Sequence, residues 1–503
     1  MTTDMPPSLG DWAPEDLEAN GQKLLSQIRR HLETIRDRPV TSSIGAGVLQ
    51  DLISGPLPER PEPFDRILED TWDKVVPNLS LWHHPSFHAY FSNSSSGPAM
   101  LAELLTAALN VNAQQWRTAP AASAVERTVL QWVAEMAGYP QTADGVLVNG
   151  ASLATLYALT AARDSLTDLD IRERGMTGRD LPTLRIYASD QTHSSIDKAA
   201  IALGIGTDNV VRLRSDQQNR FSAEALDKAI CRDLEAGRRP VAVVGTVGTT
   251  STCAIDPLAE LADVCRKHGV WLHADAAYGG LWRITDQLRS HLGDLHVADS
   301  AIVNPHKVLF CPMEVSALYC RRNGALSNAF RLVPEYLRTD PDDAAVDYMN
   351  HSLQLGRQFR ALKLWWVIRS FGRAGLAARM SQAVDMAEWL RGKAQEHPEW
   401  RVAESSVLPL VCLRYEPVEH WMAGESETEK KRWWDRLNEL IVRKVYESGQ
   451  AYVSHTVTRA GYVIRVSIGN IQTTPDDVER AWLLLQKVAE EGRQQLVDQA
   501  AQE

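Results

Sequence analysis

Two short segments place reactive side chains just after apolar runs that read as strands. Leu272-His273-Ala274-Asp275-Ala276-Ala277-Tyr278 delivers a carboxylate at Asp275, and Asn304-Pro305-His306-Lys307 delivers an amine at Lys307. A lysine amine condenses with an aldehyde, and a carboxylate holds a pyridine nitrogen protonated, so the pair suits pyridoxal phosphate (PLP). A lone lysine is ordinarily a solvated charge, and a lone loop aspartate is ordinarily structural. The chemistry is carried by the two together on consecutive strand ends.

Other residues fall in step with them. Val146-Leu147-Val148 runs into Asn149-Gly150-Ala151-Ser152 and then a helix, where small residues and a helix N-terminus suit an anion. Taken alone that segment reads as a tight turn. His193 follows the strand-like run Leu184–Ala188, where an imidazole could stack on a ring and handle a proton. Thr249-Thr250 follows Val241–Val247, and His306 beside Lys307 could donate to a phosphate or carboxylate.

The elements that position these residues alternate. Short apolar runs at 146–148, 184–188, 210–213, 241–247, 270–273 and 300–303 are separated by helical stretches such as Ser222–Glu235 and Pro257–Lys267. That alternation predicts an α/β fold with a mostly parallel sheet covered on both faces, with ligands beyond the carboxyl ends of its strands. Val315–Cys320 reads as a further strand, and Leu362–Phe371 as a helix stopped near Gly372. Residues 1–95 are punctuated by proline and carry an amphipathic helix over Leu17–Arg36, a segment with little core of its own. Residues 96–380 form the large domain in this reading and 381–503 a small C-terminal α/β domain. In the latter, Ser426 to Glu429 has the form of a capping box. Ala451–Val457 and Tyr462–Ser467 are expected to pair, and Thr474-Pro475-Asp476-Asp477 opens the last helix.

Bulk properties narrow the function. The chain has 503 residues with 44% hydrophobic and 23% charged content, typical of a globular protein. A net charge of −11 gives no electrostatic support to nucleic-acid binding. No apolar run reaches the roughly 20 residues a bilayer span needs. The first residues show neither the basic nor the apolar region of a signal peptide. Six cysteines without a CxxC pair read as reduced thiols of a cytoplasmic protein. No metal is expected, because His83 and His84 are adjacent rather than at ligand spacing and no cysteine cluster joins them.

Across these blocks the chain resembles the PLP-dependent group II amino-acid decarboxylases of the aromatic-L-amino-acid decarboxylase type. The resemblance runs from about Trp82 to Trp482. It rests on Trp82-His83-His84-Pro85-Ser86-Phe87-His88-Ala89-Tyr90-Phe91, Asp190-Gln191-Thr192-His193-Ser194-Ser195, Asp275-Ala276-Ala277-Tyr278, Asn304-Pro305-His306-Lys307 and Leu355-Gly356-Arg357-Gln358-Phe359-Arg360. It implies the PLP-dependent transferase type I, aspartate-aminotransferase-like fold. It also implies a homodimer whose active site is shared between subunits and whose N-terminal segment wraps the partner.

By the same resemblance Ala151 and Ser152 bind phosphate with His306 nearby, Thr250 and Asp275 contact the ring, Ala277 packs on one face and His193 on the other. Lys307 anchors the cofactor. Tyr336, in Arg331-Leu332-Val333-Pro334-Glu335-Tyr336-Leu337-Arg338, matches a loop tyrosine that protonates Cα. Related aldehyde synthases typically carry Phe in place of that tyrosine or Asn in place of the stacking histidine. With Tyr336 and His193 both present, simple decarboxylation is expected.

Trp82, Tyr90 and Phe91 suggest a flat slot for an aromatic side chain; by the resemblance, Gly356 lies where relatives with indole or catechol substrates carry Gly and some others Ser, which implies room for a larger ring. Ser92-Asn93 and Gln114-Gln115 depart from the family toward a more polar wall. Tryptophan, DOPA, tyrosine and phenylalanine all stay open as substrates. An aldehyde synthase on the same scaffold, or a decarboxylase of a polar non-aromatic amino acid, is the alternative. A nicotinamide dehydrogenase and a serine hydrolase are disfavoured, since no GxGxxG follows a strand and no GxSxG elbow occurs.

Overall fold

The structure is a computed structural model that describes residues 10–332, 345–418 and 424–500. Its strands, in chain order, are β1 (Phe87–His88), β2 (Asp144–Val148), β3 (Leu184–Ser189), β4 (Val210–Leu213), β5 (Arg239–Thr246), β6 (Trp271–Asp275), β7 (Ser300–Val303), β8 (Ser316–Cys320), β9 (Trp400–Glu404), β10 (Leu410–Tyr415), β11 (Tyr452–Thr458) and β12 (Gly461–Ser467).

Seven of these form the central sheet in the order β2-β8-β7-β6-β5-β3-β4. Pairing is parallel from β7 through β6, β5 and β3 to β4, and antiparallel where β8 meets β7 and β2. Two reversals restore β2 to the direction of β7, so β2 also ends at the common carboxyl edge. The strands are mostly apolar runs rather than alternating, because helices cover both faces; β5, β6 and β7 are almost wholly buried.

The second sheet has the order β1-β11-β12-β10-β9. The expected hairpin is present, with β11 antiparallel to β12. The capping box also forms, Ser426 and Glu429 each satisfying the other's backbone N–H. The short edge strands β1 and β9 have no counterpart in the sequence reading. Two- and five-residue segments carry too little periodicity to register, and pairing alone makes them strands. The helix that begins at Ala361 does break at Gly372, whose φ is 62° and ψ 167°, but it resumes and runs to Glu396. The resumption was not legible, because glycine there absorbs a kink instead of ending the element. Among the described residues no helix is long and apolar enough to cross a membrane.

Candidate active site

Asp275, Lys307, Ala151, Ser152, His193 and Thr250 lie at or just beyond the carboxyl ends of strands of the central sheet. In the register of β5 with β6, Thr246 lies opposite Asp275, and Asp275 lies opposite Ile302 of β7. Beyond the strands the backbone stays cross-linked: Ala276 N–H donates to the Ile302 carbonyl at 3.1 Å and Asn304 N–H to the Ala277 carbonyl at 3.1 Å. Lys307 follows one turn later, in a short helix whose first residue is Pro305. The carboxylate and the amine are therefore fixed by one piece of backbone. Gly279 makes the approach possible, since a Cβ there would meet the Val247 backbone carbon at 2.8 Å.

Asp275 is buried, and its Oδ1 accepts from Ala277 N–H at 3.2 Å. Lys307 is half-buried with Nζ 5.1 Å from the centre of the Phe91 ring. Burial lowers the lysine amine below its usual basicity, while the Asp275 carboxylate raises it in part. Phe91 in turn stacks on Tyr278, with centroids 3.8 Å apart and an interplanar angle of 19°. These two rings make a flat apolar wall beside the amine.

His193 keeps an accessible edge, and its Nδ1 accepts from Ser195 N–H at 3.1 Å. That bond leaves the imidazole proton on Nε2. Crowding by the protein lowers the ring's basicity; Asp275 opposes this and Lys307 adds to it. His306 is buried and its basicity falls to about 4. Its Nδ1 lies 2.7 Å from the Val315 carbonyl and its Nε2 3.4 Å from the Asn304 amide, so both nitrogens face protein groups.

Thr250 is exposed in a turn that Arg465 clamps: the guanidinium donates to the carbonyls of Thr250 at 2.6 Å and Ser251 at 2.9 Å. Ala277 is buried beside Asp275. Ala151 and Ser152 open the helix Ala151–Asp164, with Gly150 before it at φ 93°. No side chain caps that helix, and its first N–H groups have no partner among the described residues.

The pocket residues divide. Phe91 stands at Lys307. Trp82 and Tyr90 stack on each other at 5.5 Å and keep considerable exposure. Asn93 is half-buried with its Oδ1 unpartnered. Gln114 and Gly356 meet through the neighbouring backbone, where Ala113 N–H donates to the Arg357 carbonyl at 2.8 Å. Gly356 is exposed. Tyr336 lies outside the described residues.

Reading the sequence missed several polar atoms around the centre. Asn149 Oδ1, Thr246 Oγ1 and Asn304 Oδ1 are buried without a protein partner. Each sits at or just past a strand end, a position that could have flagged it. Unpartnered buried polar atoms are costly, so a ligand with its own polar groups is expected there. The open helix N-terminus suits a phosphate, Asp275 suits a protonated ring nitrogen, and Lys307 suits an aldehyde. The residues present thus fit pyridoxal phosphate.

The comparisons with known proteins agree. Residues 47–416 match the family model described as the pyridoxal-dependent decarboxylase conserved domain. The chain is 34% identical over 485 residues to phenylacetaldehyde synthase of Arabidopsis thaliana, covering 94% of this chain and 96% of that protein. It is 33% identical over 487 residues to tyrosine decarboxylase 4 of Petroselinum crispum, covering 95% and 94%. Among solved structures, Oryza sativa TDC with PLP and tryptamine superposes with a TM-score of 0.90 at 30% identity, covering 96% of this chain and 99% of that one.

Proposed function

The chain belongs to the pyridoxal-dependent decarboxylase family, and we propose that it converts an aromatic L-amino acid to the arylalkylamine and CO2. It has the type I fold of these enzymes and is a PLP-dependent carboxy-lyase. The observation that supports an aromatic substrate is the stacked pair Phe91 and Tyr278 beside Lys307.

Bound pyridoxal phosphate supplies an aldehyde for an amine and a ring that takes up the electron pair left when CO2 departs. The chain supplies the rest. Lys307, with its basicity lowered by burial, offers an uncharged amine more readily than a surface lysine. Asp275 is held in place by the Ala277 N–H and presents a fixed negative charge to a ring nitrogen. The Phe91 wall orients a flat side chain, so that the carboxylate of the substrate can be set perpendicular to the ring plane. His193 stays neutral, with a proton on Nε2 to donate. Tyr336 is our candidate for proton delivery to Cα.

We further read the protein as a cytoplasmic homodimer whose two subunits complete each active site. Apolar side chains left exposed on the single chain support this, notably Leu101, Leu104 and Leu109 on the helix Gly97–Leu109. Gly356, exposed on the single chain, would then serve the partner's site. The divisions near residues 95 and 380 belong to the same reading. Light scattering of the purified protein would overturn it by returning a monomer.

A second reading is supported by the likeness to phenylacetaldehyde synthase: oxidative decarboxylation and deamination to an aldehyde. One experiment separates the two. The holoenzyme is incubated with tryptophan, tyrosine, DOPA and phenylalanine, and CO2, amine, aldehyde and peroxide are quantified. Amine matching CO2 supports decarboxylation, and peroxide matching CO2 supports the synthase. Turnover of polar amino acids alone would overturn the aromatic assignment. Lys307→Ala should abolish the visible absorbance of the bound cofactor together with turnover.

A further inference from the structure

Outside the active site, one group of three side chains among the described residues has metal-ligand chemistry: Asp227, Cys231 and His268. Asp227 and Cys231 lie four residues apart on the helix Ala223–Glu235, hence on one face. His268 is the last residue of the neighbouring helix Leu258–His268, which stops at Gly269 in the left-handed conformation. The ligand atoms of all three fall within 4.8 Å of one another. His268 Nε2 already lies 2.6 Å from Asp227 Oδ1. Of the six cysteines, Cys231 is the one that is not buried.

We propose that Asp227, Cys231 and His268 bind a divalent zinc-like ion that ties these two helices together. A thiolate, an imidazole and a carboxylate are the donors Zn²⁺ takes, and they leave a fourth position for water. Bond lengths of about 2.0–2.3 Å in a tetrahedron set ligand atoms roughly 3.3–3.8 Å apart, so the His268–Asp227 edge, now 2.6 Å, has to open while the wider edges, at most 4.8 Å, close. Two terms oppose binding. The hydrogen bond between His268 Nε2 and Asp227 has to give way, and zinc takes cysteine only as the thiolate. Lys267 also competes, its ammonium donating to both Asp227 oxygens at 2.8 and 2.9 Å. The sequence gives little warning of the site, because its third ligand comes from a different helix.

The test titrates metal-stripped holoenzyme with Co²⁺, reading the visible bands of tetrahedral cobalt at longer wavelength than the cofactor absorbs. Wild type is expected to develop these bands at one equivalent. Cys231→Ser and His268→Ala should weaken binding at least about tenfold, since even outer partners of a metal site cost that much. Lys267→Ala should tighten it roughly two- to fivefold by freeing Asp227 from an exposed ion pair. Zn²⁺ should displace the bands and raise the Tm of wild type but not of Cys231→Ser. Circular dichroism verifies that each variant is folded. Absence of tetrahedral bands in wild type, equal affinity in Cys231→Ser, or no gain in Lys267→Ala would overturn the three-ligand site.

Discussion

The backbone N–H of Ser195 donates to Nδ1 of His193 at 3.1 Å, and this bond decides which imidazole nitrogen carries the proton. With Nδ1 accepting, the ring is neutral and its N–H is Nε2. Nitrogen-15 NMR of histidine-labelled protein at neutral pH should therefore find His193 as the Nε2–H tautomer. A protonated Nδ1 would contradict the arrangement. His193→Asn removes the acid and should lower amine formation by at least about a hundredfold, with what turnover remains diverted toward aldehyde and peroxide.

A buried ion pair supports the opposite end of the site. Arg357 donates to Glu126 at 2.6 Å and to the Leu147 carbonyl at 2.9 Å, while Glu126 accepts from Leu147 N–H at 3.0 Å. Both side chains are almost wholly buried, and together they grip β2 just before the Gly150 turn. Arg357→Ala strands a buried carboxylate and should cost about 3–5 kcal/mol. Urea denaturation measures this, and a loss below about 1 kcal/mol would show that the pair is dispensable.

The aromatic wall makes a separate prediction. Phe91→Ala removes a buried ring stacked on Tyr278 and should cost about 3 kcal/mol of stability. Phe91→Leu keeps most of the apolar volume, so its main effect should be a raised KM for aromatic substrates. Unchanged KM in Phe91→Leu would remove the wall from substrate recognition.

Acid sensitivity follows from the histidines. Burial lowers His83, His84, His88, His273 and His306 from 6.5 to about 4. Folding holds these rings neutral, whereas the unfolded chain binds protons once the pH drops below about 6.5. Their stabilising contribution is complete above pH 6.5 and is lost as pH falls toward 4. The slope approaches about 1.4 kcal/mol per pH unit for each histidine. Urea midpoints should be flat above pH 7 and fall steeply between pH 6.5 and 4. A flat profile through pH 5 would refute the assignment.

The candidate centre was legible because its residues sit at strand ends, where a continuous apolar run stops and a polar residue begins. Asp275 and Lys307 could be paired on that ground before any contact was known. The clamp of Arg465 on Thr250 was not legible, since it joins positions 215 apart in the chain. Nor was the grip of Arg357 on β2, or the role of Phe87 and His88 as a strand. Local patterns announce elements, whereas these contacts exist only once distant segments have met.

One pairing carries a consequence for the order of events during synthesis. β1, which ends at His88 just before Phe91, is held by β11, and Tyr90 N–H donates to Ser454 Oγ, 364 positions away. Phe91 leaves the ribosome long before β11, the strand that anchors β1, has been made. Until then the nascent chain has the lysine and the aspartate, while the segment carrying Phe91 lacks the strand that holds it. Such late closure of a long loop is slow and leaves apolar surface open in the meantime. Chains cut short before residue 452 therefore cannot complete the site, however well the central sheet has formed.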